Sequence, residues 1–411
     1  MLSPGEPFFR PIQVGYFILN RYLFGLHPLG WNIVSLAIHT LNLFLIIELI
    51  KLLYPKGKGL PFLSGLIFAA HFIHTEPIFW TSAATTLLVA TFLILSLISY
   101  LKNSHILSLI FFVLALLSKE DGVIIPFVLL VIIIHQGSPF RAALPYFTLL
   151  GLYLLIRLIC KSPFHPVHYQ IQIHPLIFIK NLTFLFSGLT VWVDYRLLRT
   201  IWYGASSVGH MLSLISSHLE IVFSLILSWL LFLITLIFGT RKERILILLI
   251  IFSFLPFLFL VGSGERFLYI PSIWFSLLIG MLLLRIPPFG RMITAGCLLL
   301  YFAIFSIGNS YRWIMAGRTS GEIIGFLARI EKKMEEGERI IFINPPEDID
   351  GAWVFRNGLE FIDELYFAKK VEVIPVKSRP IPPLKKGDRI IIWERRNDGN
   401  KSNQNRCPGR G

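Results

Sequence analysis

The chain has 411 residues, of which 55% are hydrophobic and 14% aromatic, with 38 Lys and Arg against 24 Asp and Glu. Apolar stretches of membrane-crossing length recur from residue 31 to about residue 308, which excludes an ordinary soluble protein and predicts an all-α polytopic membrane protein. The surplus of positive charge is typical of cytoplasmic loops in such a protein, so we expect no nucleic acid partner.

An N-terminal segment, residues 1–30, is expected to lie on the outer membrane surface. In it, Arg10 precedes a half-apolar helix over residues 12–24, and a break at "GLHPLG" leads into the first span, which contains His39 and Asn42. Ten spans are predicted, at 31–53, 60–79, 85–101, 104–118, 122–136, 141–159, 212–238, 245–262, 267–285 and 292–308.

Positive charge in every second loop sets the predicted orientation. The positive-inside rule places these loops in the cytoplasm; their residues are Lys51, Lys56, Lys58, Lys102, Arg141, Arg241, Lys242, Arg244, Arg285 and Arg291. The other loops and both ends of the chain are then extracytoplasmic, in a bacterial or archaeal cytoplasmic membrane. Residues 176–193 are also apolar, but a span there would move "RKER" outside, so we predict a re-entrant or interfacial helix on the outer side.

Several outer segments carry positive charge against that rule. Two explanations stay open: these side chains bind an anion such as a lipid phosphate, or they extend to the headgroups of membrane lipids without a specific ligand. The residues are Arg157, Lys161, Lys180, Arg196, Arg199 and Arg266.

The composition changes after residue 308. Residues 309–396 predict a small extracytoplasmic α/β domain, with an amphipathic helix in "SGEIIGFLARIEKKMEEGE". Strands are predicted in "RIIFINPP", "VEVIPV" and "RIIIWERR", and a further helix in "FRNGLEFIDELYF". Residues 397–411 are polar and predict a disordered tail.

Three adjacent charges, Lys119, Glu120 and Asp121, separate the fourth and fifth spans in "LLSKEDG". Both spans are short, so we predict a helical hairpin whose charged tip lies at or below the outer headgroups. Ionisable groups at that depth indicate a functional site. The alternative is a simple turn in which two acids neutralise one lysine.

A second polar cluster, His71, His74 and Glu76, lies in "AAHFIHTEP" at the outer end of the second span. A divalent metal site is one interpretation, but the pattern His-Glu-x-x-His is absent, so hydrogen bonds between packed helices are favoured. A third stretch, "GSGERFLYIPS", opens the ninth span with Glu265 and Arg266. Arginine is suited to holding a phosphate, and the neighbouring glutamate is suited to holding the arginine.

Taken in order, four stretches resemble one family. "FFRPIQ…LNRYLFGLHPLGWNIVSLAIHTLN", "HFIHTEPIFWTS", "ALLSKEDG" and "GERFLYIPS" are similar to the membrane part of GT-C superfamily glycosyltransferases, in the O-mannosyltransferase-like branch that often carries tetratricopeptide repeats. No single motif is specific, but the ordered set is. The resemblance covers about residues 8–310 and implies a GT-C-like domain over 31–308, although no tetratricopeptide repeat is visible.

The resemblance implies transfer of a sugar from a polyprenyl-phosphate carrier to an acceptor protein or glycan on the outer side. Lys119 and Arg266 would neutralise the carrier phosphate, while Glu76, Glu120 and Glu265 would orient these cations or the sugar hydroxyls. The implied substrate-binding residues are Arg10, His71, His74, Lys119, Glu265 and Arg266. Some family members use a divalent cation; the sequence leaves this open, and we assign no metal ligand and no other cofactor.

The sequence also departs from the family, because Ala84 and Thr86 stand where Arg and Asp are usual, and Phe72 where Pro is usual. The usual catalytic Asp of the family lies in an outer loop upstream of the first matching motif. We therefore expect an upstream segment to be missing and the chain as given to lack its base. The alternative is that Glu76 or Glu120 has taken that role.

A function of a different class, a non-catalytic transporter or a scaffold for polysaccharide assembly, is the second hypothesis. A transporter needs ionisable groups near the middle of the bilayer, whereas the charged motifs here gather on the predicted outer face. Glu76, Lys119 and Arg266 should lie close together in an enzyme and need not do so in a transporter.

Overall fold

The structure is a computed structural model that describes residues 10–159, 172–192, 208–260, 264–356, 358–376 and 382–393. The predicted disordered tail and three of the outer cations, Lys161, Arg196 and Arg199, lie outside the described residues. The chain divides into two compact units, Met1–Asn309 and Ser310–Gly411.

The described part of the first unit is helical. Its helices are α1 (Pro11–Phe24), α2 (Pro28–Leu53), α3 (Leu60–Ala70), α4 (Thr75–Phe79), α5 (Thr85–Leu101), α6 (His105–Ser118), α7 (Ile125–His135), α8 (Leu144–Ile159), α9 (Pro175–Thr190), α10 (Val208–Ser216), α11 (Leu219–Phe238), α12 (Arg241–Phe254) and α13 (Tyr269–Leu284). A further helix, α14 (Pro288–Glu331), begins in this unit and continues into the second. Proline lies at the first or second position of α1, α2, α3 and α7, where its missing N–H costs no hydrogen bond.

Six of the described helical segments are long and apolar enough to cross a membrane. They are Pro28–Leu53, Thr81–Leu101, Phe140–Ile159, Ile221–Phe238, Glu265–Leu284 and Pro288–Glu331. A bent pair, Leu60–Ala70 with Phe72–Phe79, would be a seventh. The predicted helical architecture with several membrane-length helices is therefore confirmed, while the count of ten spans and their orientation stay predictions.

The second predicted span, 60–79, is wrong as a continuous helix. α3 ends at Ala70, His71 is extended, and the chain resumes at an angle of 53°. Pro77 explains the break, because inside a continuous helix it would offer no N–H to the carbonyl of Ile73 and would clash with that carbonyl. Polar side chains in the broken segment are thereby released from a regular helix face.

The tenth predicted span and the amphipathic helix after it are one element. α14 has 44 residues, about 66 Å at 1.5 Å per residue and about twice the thickness of a bilayer core. No proline interrupts the stretch, so the change in composition after residue 308 marks a change of surroundings and not a helix end.

Two other predicted boundaries differ from the structure. The span predicted over 212–238 is interrupted between α10 and α11. α12 begins at Arg241, earlier than the predicted residue 245, because Thr240 and Glu243 form a capping box that satisfies backbone N–H groups of its first turn.

The centre of the first unit is formed by α5 and α13. Both are mostly buried, and they pack against α2, α3, α6 and α12. By contrast α2, α8 and α11 are apolar yet largely exposed. An apolar outer face is the pattern expected of helices that contact lipid.

The second unit contains the small sheet predicted near the C-terminus. Its strands are β1 (Arg339–Ile343), β2 (Asp348–Ile349), β3 (Ala352–Trp353), β4 (Glu372–Val376) and β5 (Arg389–Ile392), and a short helix, α15, covers Ile362–Tyr366. The parallel sheet has the order β4-β1-β5, with Ile341 opposite Ile374 and Ile390. β1 is central and its middle residues are buried, as its unbroken apolar run predicts.

Candidate functional site

Three irregular segments meet at one end of the first unit. They are the broken stretch 71–84, the 3₁₀ turn Glu120–Ile124 between α6 and α7, and the 3₁₀ turn Glu265–Leu268 before α13. These segments contain three of the four stretches that carry the family resemblance. Irregular backbone in apolar surroundings must be satisfied by nearby polar groups, which is the local reason that charged side chains gather here.

Glu76 and Arg266 form a buried ion pair; they are 3% and 4% exposed. The Arg266 guanidinium donates to Glu76 Oε1, and the Arg266 backbone N–H donates to Oε2 at 2.8 Å. The guanidinium carbon lies 5.0 Å from the ring centroid of Trp80 and 4.5 Å from that of Phe267. A side chain at Gly264 would collide with this guanidinium, so glycine permits the close approach.

Lys119 is bound from two sides. Its Nζ donates to Asp121 Oδ2 at 2.5 Å and to Thr86 Oγ1 at 3.1 Å. The same ammonium lies 5.7 Å from the centroid of Phe267, the ring that also contacts Arg266. Two cations from separate motifs therefore share one aromatic ring.

We call Glu76, Lys119, Asp121 and Arg266 the paired-charge cluster. Each of its cations contacts a carboxylate of the same cluster. Unpaired charge is costly where water is excluded, and pairing with good hydrogen bonds offsets that cost.

Glu120 has other partners than its neighbours Lys119 and Asp121. Arg10 donates to Glu120 Oε2 from Nε at 2.9 Å and from Nη2 at 2.5 Å, and Arg157 donates to Oε1 at 2.8 Å. Arg157 also donates to the Tyr153 hydroxyl at 2.9 Å. We call Arg10, Glu120 and Arg157 the arginine clasp.

The clasp determines the protonation of Glu120. Burial alone would raise the pKa of this carboxyl, but the charge of Arg10 and the hydrogen bonds from Arg10 and Arg157 outweigh burial and hold the pKa below its ordinary value. Glu120 is therefore a carboxylate at neutral pH.

Five of the predicted site residues thus fall into two clusters that meet at the peptide bond between Lys119 and Glu120; they are Arg10, Glu76, Lys119, Glu120 and Arg266. The simple-turn alternative, in which both acids neutralise Lys119, is wrong, because only Asp121 pairs with the lysine while Glu120 pairs with two arginines.

Glu265 and the two histidines line the same end of the unit. Glu265 accepts hydrogen bonds from Thr75 Oγ1 at 3.3 Å and from Asn309 Nδ2 at 3.4 Å. Arg266 pairs with the carboxylate of Glu76, 190 positions away in sequence, and not with that of the adjacent Glu265. His71 Nε2 donates to the Leu189 carbonyl at 3.0 Å.

His74 is held by its neighbour on α13. Ser272 Oγ donates to the Tyr269 carbonyl at 2.6 Å, so it accepts from His74 Nε2 at 3.0 Å. Among the described residues, no three His, Cys, Asp or Glu side chains are arranged to hold a metal ion. The Nε2 atoms of both His71 and His74 contact protein groups.

The buried polar residues of α2 form a separate network deeper in the bundle. The Tyr269 hydroxyl lies 2.8 Å from His39 Nδ1, and Asn42 Nδ2 donates to the same hydroxyl at 3.2 Å. Thr91 Oγ1 donates to Asn42 Oδ1 at 2.7 Å. The network joins α2, α5 and α13 and lies beside His74, whose ring centroid is 4.8 Å from that of His39.

Sequence reasoning missed several members of the site. Thr86 stands where Asp is usual in the family, and its hydroxyl accepts a hydrogen bond from Lys119. Trp80 and Phe267 lie within the quoted motifs, and both rings contact Arg266. Phe267 directly follows this arginine in the sequence, which was a local signal for a cation–π contact. Arg157 was noted as a cation on the wrong side of the charge rule, and that anomaly pointed to its buried partner.

Comparison with known proteins gives relatives of one kind. The human protein O-mannosyl-transferase TMTC4 is 30% identical over 142 residues, 28% of this chain and 19% of that protein. The human protein O-mannosyl-transferase TMTC2 is 32% identical over 95 residues, 23% of this chain and 11% of that protein. A protein O-mannosyl-transferase of Caenorhabditis elegans is 25% identical over 321 residues, 74% of this chain and 46% of that protein.

The chain therefore spans less than half the length of each of these relatives. No family model matches it, and no solved structure matches it. The resemblance indicated by the four ordered stretches is nevertheless confirmed: the chain is similar to proteins named as protein O-mannosyl-transferases, and thus to O-mannosyltransferase-like glycosyltransferases.

Proposed function

We propose that this chain acts in membrane glycosyl transfer, passing a sugar from a polyprenyl-phosphate carrier to an acceptor protein or glycan on the extracytoplasmic face. The names of the relatives support transfer of a sugar to protein. The meeting of Lys119 and Arg266 on one ring supports an enzyme over a transporter or scaffold, since neither of those requires these motifs to converge.

The observation that carries the proposal is the hydrogen-bonding state of Lys119. An ammonium group has three N–H donors, and in the described part of the chain Asp121 and Thr86 accept two of them. One donor is therefore left for a ligand oxygen, on a side chain that contacts the same ring as the Arg266 guanidinium. A phosphate is the ligand that two adjacent cations favour.

In the proposed reaction the acceptor oxygen forms a bond to the anomeric carbon of the sugar. The bond from that carbon to the phosphate oxygen breaks, the phosphate leaves with the electron pair, and the proton of the acceptor hydroxyl is released to water. Lys119 and Arg266 would stabilise the charge that develops on the departing phosphate.

The acceptor proton needs a base, and neither Glu76 nor Glu120 suits this role. Both carboxylates accept hydrogen bonds from arginine, so their oxygens are already engaged by protein donors. For Glu120, the charge and hydrogen bonds of its arginines also hold the pKa below its ordinary value. We propose that Glu76 orients Arg266 and that Glu120 fixes the backbone that carries Lys119.

The test is binding of a short-chain polyprenyl-phosphate mannose to the purified 411-residue chain in lipid nanodiscs. Lys119→Ala should weaken binding about 10- to 100-fold, the effect of losing a hydrogen bond to a charged group. Lys119→Arg should retain more affinity than Lys119→Ala, because it keeps the charge. Transfer of labelled mannose to a peptide mixture is measured on the same samples.

Lys102→Ala is the matched control. Lys102 follows the other end of α5 and pairs with Glu48 in an exposed ion pair, so its loss should change affinity less than twofold. Unchanged affinity in Lys119→Ala, or equal losses in both variants, would contradict the proposed phosphate site.

The extracytoplasmic placement is tested separately with reporter fusions. Because α14 continues to Glu331, the fusion point belongs in the turn at Gly337 and not at residue 309. Alkaline phosphatase fused there should be active and a cytoplasmic reporter inactive. The reverse pattern would refute the predicted orientation.

A further inference from the structure

The first unit has a second charged surface, at the end opposite the paired-charge cluster. α13 starts beside that cluster and ends at Leu284, about 24 Å away along a helix of 16 residues. Arg285 follows it, and α12 begins nearby, where Arg285 contacts Glu243. We call Arg241, Lys242, Arg244 and Arg285 the basic end.

The one acidic side chain inside this group is already engaged. Glu243 is 2% exposed and its Oε2 accepts from the Thr240 backbone N–H at 2.7 Å and from Arg285. It therefore caps α12 and neutralises Arg285. Within the described ranges, Arg241 and Lys242 form no ion pair with any acidic side chain.

Groups from several helices converge on these two cations. Lys242 Nζ lies 5.3 Å from the ring centroid of Tyr54, the residue after α2. α7, which ends at His135, packs against α12, which begins at Arg241. In the described part of the chain, the buried Nδ1 of the His135 imidazole has no hydrogen-bond partner. The site is thus a shared corner of four elements and not a run of charges along one loop.

Without a ligand, the positive charges at this corner are electrostatically unfavourable. The N-terminus of a helix carries partial positive charge, so basic side chains in its first turn are placed against the dipole. Arg241, Lys242 and Arg244 all lie in the first turn of α12, and they also repel one another. An anion at this corner would relieve both repulsions.

Apolar side chains border the same corner. Ile134 precedes His135, and Ile237 and Phe238 end α11 just before the first turn of α12; their exposures are 54%, 61% and 76%. A ligand with an anionic head and hydrocarbon tails matches this combination of cations and exposed apolar residues.

We infer that the basic end binds the phosphodiester headgroup of an anionic phospholipid, with Arg241 and Lys242 as its principal contacts and the acyl chains along Ile134, Ile237 and Phe238. The inference is independent of the proposed glycosyl transfer, because no residue of the paired-charge cluster takes part. Arg285 is half-exposed and supplies a further cation at the rim.

The test is native mass spectrometry of the full chain released from detergent, titrated with phosphatidylglycerol and, separately, with zwitterionic phosphatidylcholine. The wild-type chain should bind phosphatidylglycerol at least about tenfold more tightly. Replacing both Arg241 and Lys242 by Gln should weaken phosphatidylglycerol binding about 30-fold, since each cation near an anionic lipid contributes about fivefold. Phosphatidylcholine binding should change less than twofold.

Lys102→Gln is the matched control, because Lys102 belongs to the same set of basic loops but is paired with Glu48. Equal losses in Lys102→Gln and in the double variant would overturn the site in favour of general surface charge. Absence of a preference for phosphatidylglycerol in the wild type would also overturn it. So would displacement of the lipid by glycerol phosphate at equal concentration, which would indicate a soluble phosphate ligand.

Two measurements guard against misfolding of the double variant. Thermal unfolding of each variant is recorded in the same detergent. The charge-conserving Lys242→Arg should retain phosphatidylglycerol binding within about threefold of the wild type, and loss of binding in that well-folded variant would argue against an electrostatic headgroup site.

Discussion

The two ends of the first unit handle charge in different ways. At the paired-charge cluster, each buried cation contacts a carboxylate, which is Glu76 for Arg266 and Asp121 for Lys119. At the basic end, Arg241 and Lys242 are exposed, and among the described residues Arg285 is the one cation of this group that has a carboxylate partner, Glu243. One end is a fixed internal structure and the other is a surface that presents charge outward.

The difference follows from the cost of burial. A charge removed from water must be paired, and its position is then fixed by hydrogen bonds, which suits a site that must hold a reacting group. An exposed charge is screened by water and salt, and it acts mainly on what approaches from outside. Substitutions at the two ends should therefore differ sharply in their effect on stability.

The largest effect is expected for Glu76→Gln. Arg266 would be left buried without its carboxylate, which should lower the free energy of unfolding by about 3–5 kcal/mol. The matched change at the other end is Glu48→Gln, whose pair with Lys102 is 41–52% exposed and should cost no more than about 1 kcal/mol. Denaturant unfolding in mixed micelles, followed by tryptophan fluorescence, measures both, and similar values for the two would remove the contrast between the ends.

A smaller effect is expected for Gly122→Ala in the charged turn. A Cβ at this position would lie 2.9 Å from backbone atoms of Ala115 and Leu116, and backbone cannot move aside as a side chain can. The cost should be about 1–3 kcal/mol. Gly151→Ala is the control, because nothing lies within 4 Å of the added Cβ and alanine favours the helix. An unchanged free energy of unfolding in Gly122→Ala would show that the turn can accept a Cβ and is packed less tightly than the structure indicates.

The smallest effect is confined to acid pH and concerns the arginine clasp. The folded chain holds the pKa of Glu120 below its ordinary value, so at low pH the unfolded chain binds the proton first. The stabilisation by Glu120 is complete above the ordinary value of 4.5 and is lost as the pH falls through the lower folded pKa. Unfolding of Glu120→Gln between pH 6 and pH 3 should show a weaker pH dependence than the wild type, and parallel curves would count against the clasp.

The sequence predicted the helices and strands far better than it predicted the partners of the charged side chains. Apolar run length revealed most helices and also the short strands around Arg339 and Arg389, because this signal is local. The partner of Arg266 could not be read from its neighbourhood, since Glu265 is adjacent but Glu76 forms the pair from 190 positions away. Such a choice depends on which segments the fold brings together.

Two differences between the predicted and the observed helices have a local cause in the sequence. Pro77 is a local reason for a break in the second span, and the absence of proline after residue 308 is a local reason for one continuous α14. The pairing of Lys119 with Asp121 and of Glu120 with Arg10 had no such signal, because either acid could have reached the lysine.

The peptide bond between Lys119 and Glu120 makes the two clusters parts of one thermodynamic linkage. A displacement of Glu120 by changes at Arg10 or Arg157 must shift the backbone that carries Lys119. By reciprocity, whatever factor the clasp contributes to the affinity of an anion at Lys119, that anion must contribute to the closure of the clasp. The position of helix α1, which starts at the residue after Arg10, would thus depend on whether an anion is bound at Lys119.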